Sequence, residues 1–401
     1  MRKTIVCLLA LCLSGCAAAQ RQFNADWPMF QADSGRSGSV EDAARPPLKL
    51  KWSFTTEGRI VAPPAVMAGT VYLGSRDGKL YALSLEDGSK QWDTEIGQGG
   101  IFSSPQLTKD RIYGGQEGAY YFVYALERAG GKDIWRRQSG ELINRPPWVL
   151  ADEARLYTHF DPPLNAPESV QVVLTALNPD NGENLWQTPL GAIPQVAPAL
   201  AGELLLVATN DQRLRAFDRA TGSLRWEAEL AANPASAPLV QGSRVYLSTS
   251  EGFLYAFELA TGKVGWRYQF PQTQLRGDLA LSGKLLLIPG IQGLYTYDIN
   301  ALEPRWRYRT PSEITAPVAS REHVYFGCAN HLLYVLRVEN GSVAGSYRTG
   351  DEILAPPVLA GGLVLVGASD GKLYAYEENA EAQQPRTQPR PSSRPGWMNR
   401  R

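Results

Sequence analysis

Few side chains here suit acid–base, nucleophilic or metal chemistry, since the 401 residues include only three histidines and four cysteines. His323, Cys328 and His331 lie close enough in sequence to suggest zinc, which takes thiolate and imidazole ligands. Cys328 and His331, however, occupy the Ser and Gly positions of a recurring turn, seen as Gly74-Ser75-Arg76-Asp77-Gly78. Their placement therefore has a structural explanation, and no metal, cofactor or catalytic residue is expected. What remains is recognition chemistry. Asn144-Arg145 and Arg276-Gly277-Asp278 fall where the chain otherwise carries a small residue followed by proline. Arginine offers a rigid fork of donors suited to carbonyls, carboxylates or phosphate. The alternative is that these charges only satisfy one another.

The elements that position these residues follow from a repeat. Trp52, Trp92, Trp135, Trp186, Trp226, Trp266 and Trp306 are separated by 40, 43, 51, 40, 40 and 40 residues. Before most of them runs one pattern, clearest from Ala62 to Trp92 and from Ser236 to Trp266. A period near 40 made of short strands and glycine turns marks a propeller blade, one four-stranded sheet per repeat. In the second segment, Ala237–Val240, Arg244–Ser248 and Phe253–Glu258 read as strands A, B and C, and Trp266 lies on strand D. Glu251-Gly252 and Thr261-Gly262 make the turns.

Strand A to C units begin near Pro63, Pro105, Pro146, Pro198, Pro238, Asp278, Pro317 and Pro356. The D segments lie at the seven tryptophans and at one degenerate copy, where Gly345 replaces tryptophan and Tyr347 is the nearest aromatic. The first D segment, Lys51–Thr55, precedes every A strand, and the last A to C unit lacks a D strand. The expectation is an all-β, eight-bladed propeller of four-stranded antiparallel blades over residues 51–378. The N-terminal strand closes the ring and hides the free sheet edges, leaving a monomeric propeller. Equal spacing assigns the tryptophans to interblade packing.

In such a meander the B–C turns and the D–A crossovers share one face. The 51-residue gap before Trp186 arises between strand B of blade 3, Arg155–Thr158, and its strand C, Gln171–Leu177. His159 to Val170, including Phe160 and Asp161, is therefore expected as a long loop on that face, a common form of interaction site. Asn144, Arg145, Leu275, Arg276 and Asp278 belong to the same face and complete the expected partner surface. Forty basic residues balance forty acidic ones, so nothing global suggests nucleic acid.

Residues 1–15 read as an export signal: Arg2 and Lys3 precede an apolar stretch, Thr4 to Leu13, too short to span a bilayer. Leu13-Ser14-Gly15-Cys16 is similar to a bacterial lipobox, in which Cys16 would be acylated. Cleavage after Ala19 by an ordinary signal peptidase is the competing reading. With Cys16 lipidated and Cys7 and Cys12 removed, Cys328 is the remaining thiol, and no internal disulfide is possible. Residues 16–50 then form a lipid-anchored linker and lead-in. Residues 379–401, rich in arginine and proline, read as an extended tail.

Ala-Pro, Val-Tyr-x-Gly-Ser, Asp-Gly-Lys-Leu-Tyr-Ala-Leu and Gly-x-x-x-Trp together resemble the PQQ-like propeller repeat. With a lipobox, a short linker and one compact propeller, the whole plan is similar to BamB-type lipoproteins of the outer-membrane β-barrel assembly machinery. Leu275-Arg276-Gly277 resembles a segment with which those proteins contact the barrel-forming subunit. The resemblance implies a non-catalytic scaffold at the outer membrane, facing the periplasm, bound to an envelope complex and possessing no cofactor. Quinoprotein dehydrogenases share the repeat but use an adjacent cysteine pair, calcium-binding acidic and amide residues and long insertions, none evident here. Binding of another envelope complex or a cell-wall polymer is a further alternative.

Overall fold

Short apolar runs punctuated by glycine dictate the local structure, as in blade 5, where Leu239–Gln241, Arg244–Ser248, Phe253–Glu258 and Val264–Gln269 pair antiparallel in sequence order. Gly252 (φ 82°) turns strand B into C and Gly262 (φ 71°) turns C into D, backbone conformations that a β-carbon disfavours. The computed structural model describes residues 23–97, 99–116, 120–141, 148–162 and 171–383. Cys16, Asn144 and Arg145 lie outside the described residues, as does the tail from 384 onward. The tail begins in a single helical turn, Ala380–Gln383.

Eight such sheets form the propeller, with strand A innermost. Strands B and C are buried on both faces, whereas strand D exposes alternate residues, as the burial of Phe253–Glu258 and Val264–Gln269 illustrates. Neighbouring blades cover both faces of the inner strands, so these read as nearly continuous apolar runs. The eighth blade consists of Val358–Ala360, Leu363–Gly367, Lys372–Glu378 and, outermost, Leu48–Thr55. Trp52 pairs with Ala375 and Phe54 with Leu373, so the N-terminal strand closes the ring as its sequence order predicts.

The tryptophans lock each blade to the next. Trp52, Trp135, Trp186, Trp226 and Trp306 donate their indole N–H to the carbonyls of Leu85, Pro179, Arg219, Leu259 and Val338 in the following blade, at 2.9–3.1 Å. The indoles lie against turn glycines of that blade: a β-carbon on Gly88, Gly131, Gly182, Gly222, Gly262 or Gly341 would come within 2.3–2.9 Å of a ring carbon. Within its own sheet Trp226 faces Ala216 and Trp266 faces Ala256, small residues that leave room for the ring. Blade 7 substitutes Tyr347, whose hydroxyl accepts the N–H of Leu48 at 2.7 Å and so ties the closing strand to its neighbour.

One boundary differs from the sequence expectation. His159 and Phe160, assigned to the long loop of blade 3, continue strand Leu156–Phe160 and pair with Leu174 and Val173. His159 is buried beside Trp148, with ring centroids 5.2 Å apart, and Phe160 lies under the Arg137 guanidinium at 4.7 Å. These contacts from neighbouring elements prolong the strand. Only Asp161 and Pro162 of the expected loop are described beyond its end.

Candidate functional site

The D–A crossovers run beside the ends of the B strands, through bridges of Ile101 to Gln116, Pro194 to Thr209, Pro234 to Thr249, Leu275 to Gly290 and Ile314 to Cys328. Crossovers and B–C turns therefore share one face, which surrounds the channel mouth. Small residues followed by proline, among them Ala62-Pro63, Ala197-Pro198 and Ala316-Pro317, bring the backbone close to the axis and leave a funnel of about 420 Å³.

The floor comes from the lead-in. Asn24 accepts an N–H from Gly361, Trp27 exchanges two bonds with Val66, and Pro28 accepts from Leu107. Ser34, Gly35, Ser37 and Gly38 then accept from Leu200, Val240, Leu281 and Ala319, in blades 4, 5, 6 and 7. The segment thus completes a lap beneath the inner strands before joining the ring as the closing strand. Because so few residues reach so many blades, the stretch around Phe30 to Gly38 lies at the axis and plugs that end.

Arg36 is the centre of the plug. Only 2% exposed, it donates from Nε to the Pro198 carbonyl at 3.0 Å and from Nη1 to the Phe30 carbonyl at 2.8 Å. Burial pulls its pKa down to about 10, against the opposing field of Asp278 and Asp33. Gln31, Ala32 and Arg36 have positive φ (60°, 72° and 62°), strain that non-glycine residues tolerate only where surrounding bonds impose it. The sequence reading missed this floor: the lead-in has no repeat, and Arg36 and Pro198 are 162 residues apart.

The Leu275-Arg276-Gly277-Asp278 segment divides its roles. Leu275 is buried among Leu239, Leu254, Phe270 and Ile288, so it anchors the loop and offers a partner no surface. Arg276 projects into solvent at the rim, its side chain 71% exposed, and meets Glu313 of the next crossover at 2.8 Å. An ion pair this exposed adds little to stability, leaving the fork available to a partner. Gly277 (φ 102°) donates to the Ala235 carbonyl and turns Asp278 toward the funnel. There the Asp278 carboxylate accepts the Ala237 N–H; burial raises its pKa, while that bond and Arg36 oppose the rise. Phe160 and Asp161 belong to blade 3 and do not join this cluster, nor do they line the funnel.

His323 begins the strand that Cys328 ends, and Cys328 is buried, with its thiol pKa raised by desolvation. Among the described residues no three His, Cys, Asp or Glu side chains converge to hold a cation, and no helix is long and apolar enough to cross a membrane.

The sequence profile described as "Outer membrane protein assembly factor BamB" matches residues 48–159, 169–288 and 251–394. This chain belongs to the BamB family. Outer membrane protein assembly factor BamB of Legionella pneumophila (strain Paris) is 30% identical over 196 residues, 46% of this chain and 45% of that relative. The chain thus matches less than half the length of this curated BamB relative. Among solved structures, BamB from Moraxella catarrhalis superposes with a TM-score of 0.68 at 16% identity, covering 83% of this chain and 98% of that one. Quinohemoprotein alcohol dehydrogenase from Comamonas testosteroni superposes with a TM-score of 0.73 at 13% identity, covering 88% and 80%. At such identities the BamB and dehydrogenase structures share the fold with this chain, and fold alone does not assign chemistry.

Proposed function

We propose that this BamB-family chain is a non-catalytic scaffold that assists assembly of outer-membrane β-barrel proteins. It is held at the outer membrane through lipid on Cys16, with the propeller facing the periplasm. The observation that carries this reading is the family match running across the whole propeller. The crossover face supports it, because Arg276 is exposed there on a loop anchored from below by Leu275. Arg145, outside the described residues, is assigned to the same partner surface from the sequence pattern alone. Nothing favours the quinone–calcium chemistry of the dehydrogenases: among the described residues no group of side chains converges to hold a cation, and Cys328 is the one thiol outside the expected signal and lipobox.

Cross-linking in intact envelopes followed by purification tests the reading. The native chain is expected to recover the barrel-forming subunit, and the Arg145→Ala, Arg276→Ala variant to lose it while keeping its unfolding midpoint. Recovery of a different complex by both proteins would overturn the assembly role. Cys16→Ser should release the chain from the membrane fraction; retention would refute the lipid anchor. Reduction of an artificial electron acceptor after addition of quinone and calcium would overturn the non-catalytic assignment.

A further inference from the structure

The turns that join strand A to B and strand C to D lie together on the face opposite the crossovers. Within a blade the residue after strand C donates its N–H to the A–B turn, as Leu85 does to Gly69, Leu259 to Ser243 and Val338 to Glu322, each at 2.9 Å. The lead-in enters on this turn face. Phe23 packs on Gly362, where a β-carbon would come 2.9 Å from its ring, and the Asn24 carbonyl accepts the Gly361 N–H at 2.7 Å. These two glycines form the A–B turn of blade 8, between Val358–Ala360 and Leu363–Gly367.

Cys16 precedes Phe23 by seven residues, a length of chain that reaches at most about 25 Å. The way from the blade 8 turn to the crossover face is longer. The plug around Arg36 closes the channel, so the chain would have to pass outward across strands C and D, about 10 Å at the spacing of paired strands, and then along the outermost strand. That strand, Leu48–Thr55, has eight residues and is about 25 Å long. The route, about 35 Å in all, exceeds the reach, so a lipid on Cys16 cannot bring the crossover face flat against a bilayer.

We infer that the turn face around blades 8 and 1 is the surface this protein turns toward a lipid bilayer, and that the crossover face, with the funnel mouth and Arg276, points away from it. The inference rests on the proposed lipid at Cys16. Ala25, Ala68, Gly69 and Gly361 are exposed near the point of entry, and their small size permits close approach to headgroups. The C–D turn of blade 1 adjoins them, since a β-carbon on Gly361 would come 2.7 Å from Leu85, and its exposed Glu86 and Asp87 oppose insertion into the apolar interior. The surface therefore lies on the headgroups, held by its tether. A partner meets Arg276 with a segment that stands clear of the bilayer.

The test uses the full lipidated chain on phosphatidylcholine vesicles that carry a headgroup-labelled energy acceptor. A donor dye is attached through Glu86→Cys on the turn face or Arg76→Cys on the crossover face, both exposed positions of blade 1 beyond opposite ends of its strand Lys79–Ser84. Cys328 is buried and stays unlabelled in the folded chain. Transfer from position 86 is expected to be at least about two-fold that from position 76, because the two stand about 20 Å apart along the strand. Equal transfer, or stronger transfer from position 76, would overturn the inference. Inserting twenty glycine and serine residues between positions 22 and 23 loosens the tether and should abolish the difference; a difference that persists would overturn the tether as its cause. Vesicle-bound chain is first collected by flotation. A chain that does not float lacks the lipid and overturns the anchor together with the inference, whereas a floating chain with equal or reversed transfer overturns the inference alone.

Discussion

Replacing Gly262 with alanine should destabilise the ring by about 3–5 kcal/mol, and the same change at Gly242, in the same blade, by only about 1 kcal/mol. Both glycines are left-handed, at φ 71° and 57°, so both substitutions incur the backbone cost of about 1 kcal/mol. They differ in what the new methyl meets. At Gly242 no atom lies within 4 Å, whereas at Gly262 it would come 2.3 Å from Cε3 and 2.7 Å from Cδ2 of Trp226. The indole cannot simply retreat, because Nε1 is bonded to the Leu259 carbonyl at 2.9 Å and the ring is 9% exposed. Overpacking typically costs about 1–3 kcal/mol, and losing the indole bond adds about 1 kcal/mol. Urea unfolding midpoints at constant m-value measure the difference. A Trp226→Ala background removes the clash, so there Gly262→Ala should cost only its backbone strain, a coupling of about 2–4 kcal/mol. Equal effects at the two glycines, or a Gly262 penalty that persists without the indole, would refute the interblade lock.

The plug makes its own demands. Arg36→Met leaves the Pro198 and Phe30 carbonyls unpaired and should cost about 2–4 kcal/mol. Amide exchange at Leu200, Val240 and Leu281, which donate to Ser34, Gly35 and Ser37, should accelerate; unchanged protection would show that Arg36 does not hold the floor. Asp278 has a raised pKa, so the folded state binds its proton more tightly than the unfolded state. The corresponding stabilisation is present below the unfolded value, roughly 3.9, and is lost as pH rises through the folded value. Asp278→Asn can still accept the Ala237 N–H, and the stability of the native chain minus that of this variant should fall from pH 4 toward neutrality; a flat or rising difference would reverse the assignment. Arg276→Glu should shift unfolding stability by less than about 0.5 kcal/mol, because its partner Glu313 is likewise exposed; a larger loss in urea unfolding would show a structural role.

Strand identity, turn positions and ring closure were legible because each depends on short-range pattern. A left-handed glycine every few residues sets a hairpin, two-residue alternation sets which side chains face a neighbouring blade, and an unpartnered first D segment must complete the last sheet. Spacing likewise placed the tryptophans between blades. It could not show that their N–H groups reach carbonyls in the next blade, since that depends on how the blades stack.

Where chemistry could occur was decided by contacts between residues far apart in sequence. Leu275 and Arg276 are adjacent, yet one is buried and the other exposed, because the hydrophobic cluster between blades 5 and 6 admits only one of them. His159 and Phe160 precede two prolines and read as loop, but packing against Trp148 and Arg137 holds them in a strand. The lead-in shows the limit most clearly: with neither alternation nor repeat, residues 23–47 contain nothing local that prescribes a course. Backbone amides on the inner edges of seven blades provide that course, and they surround one axis only after the ring has closed. The periodic pairing that builds the propeller is therefore written in the sequence, whereas the plug, and the blind funnel it creates, arise from the backbone donors that the assembled blades present to one another.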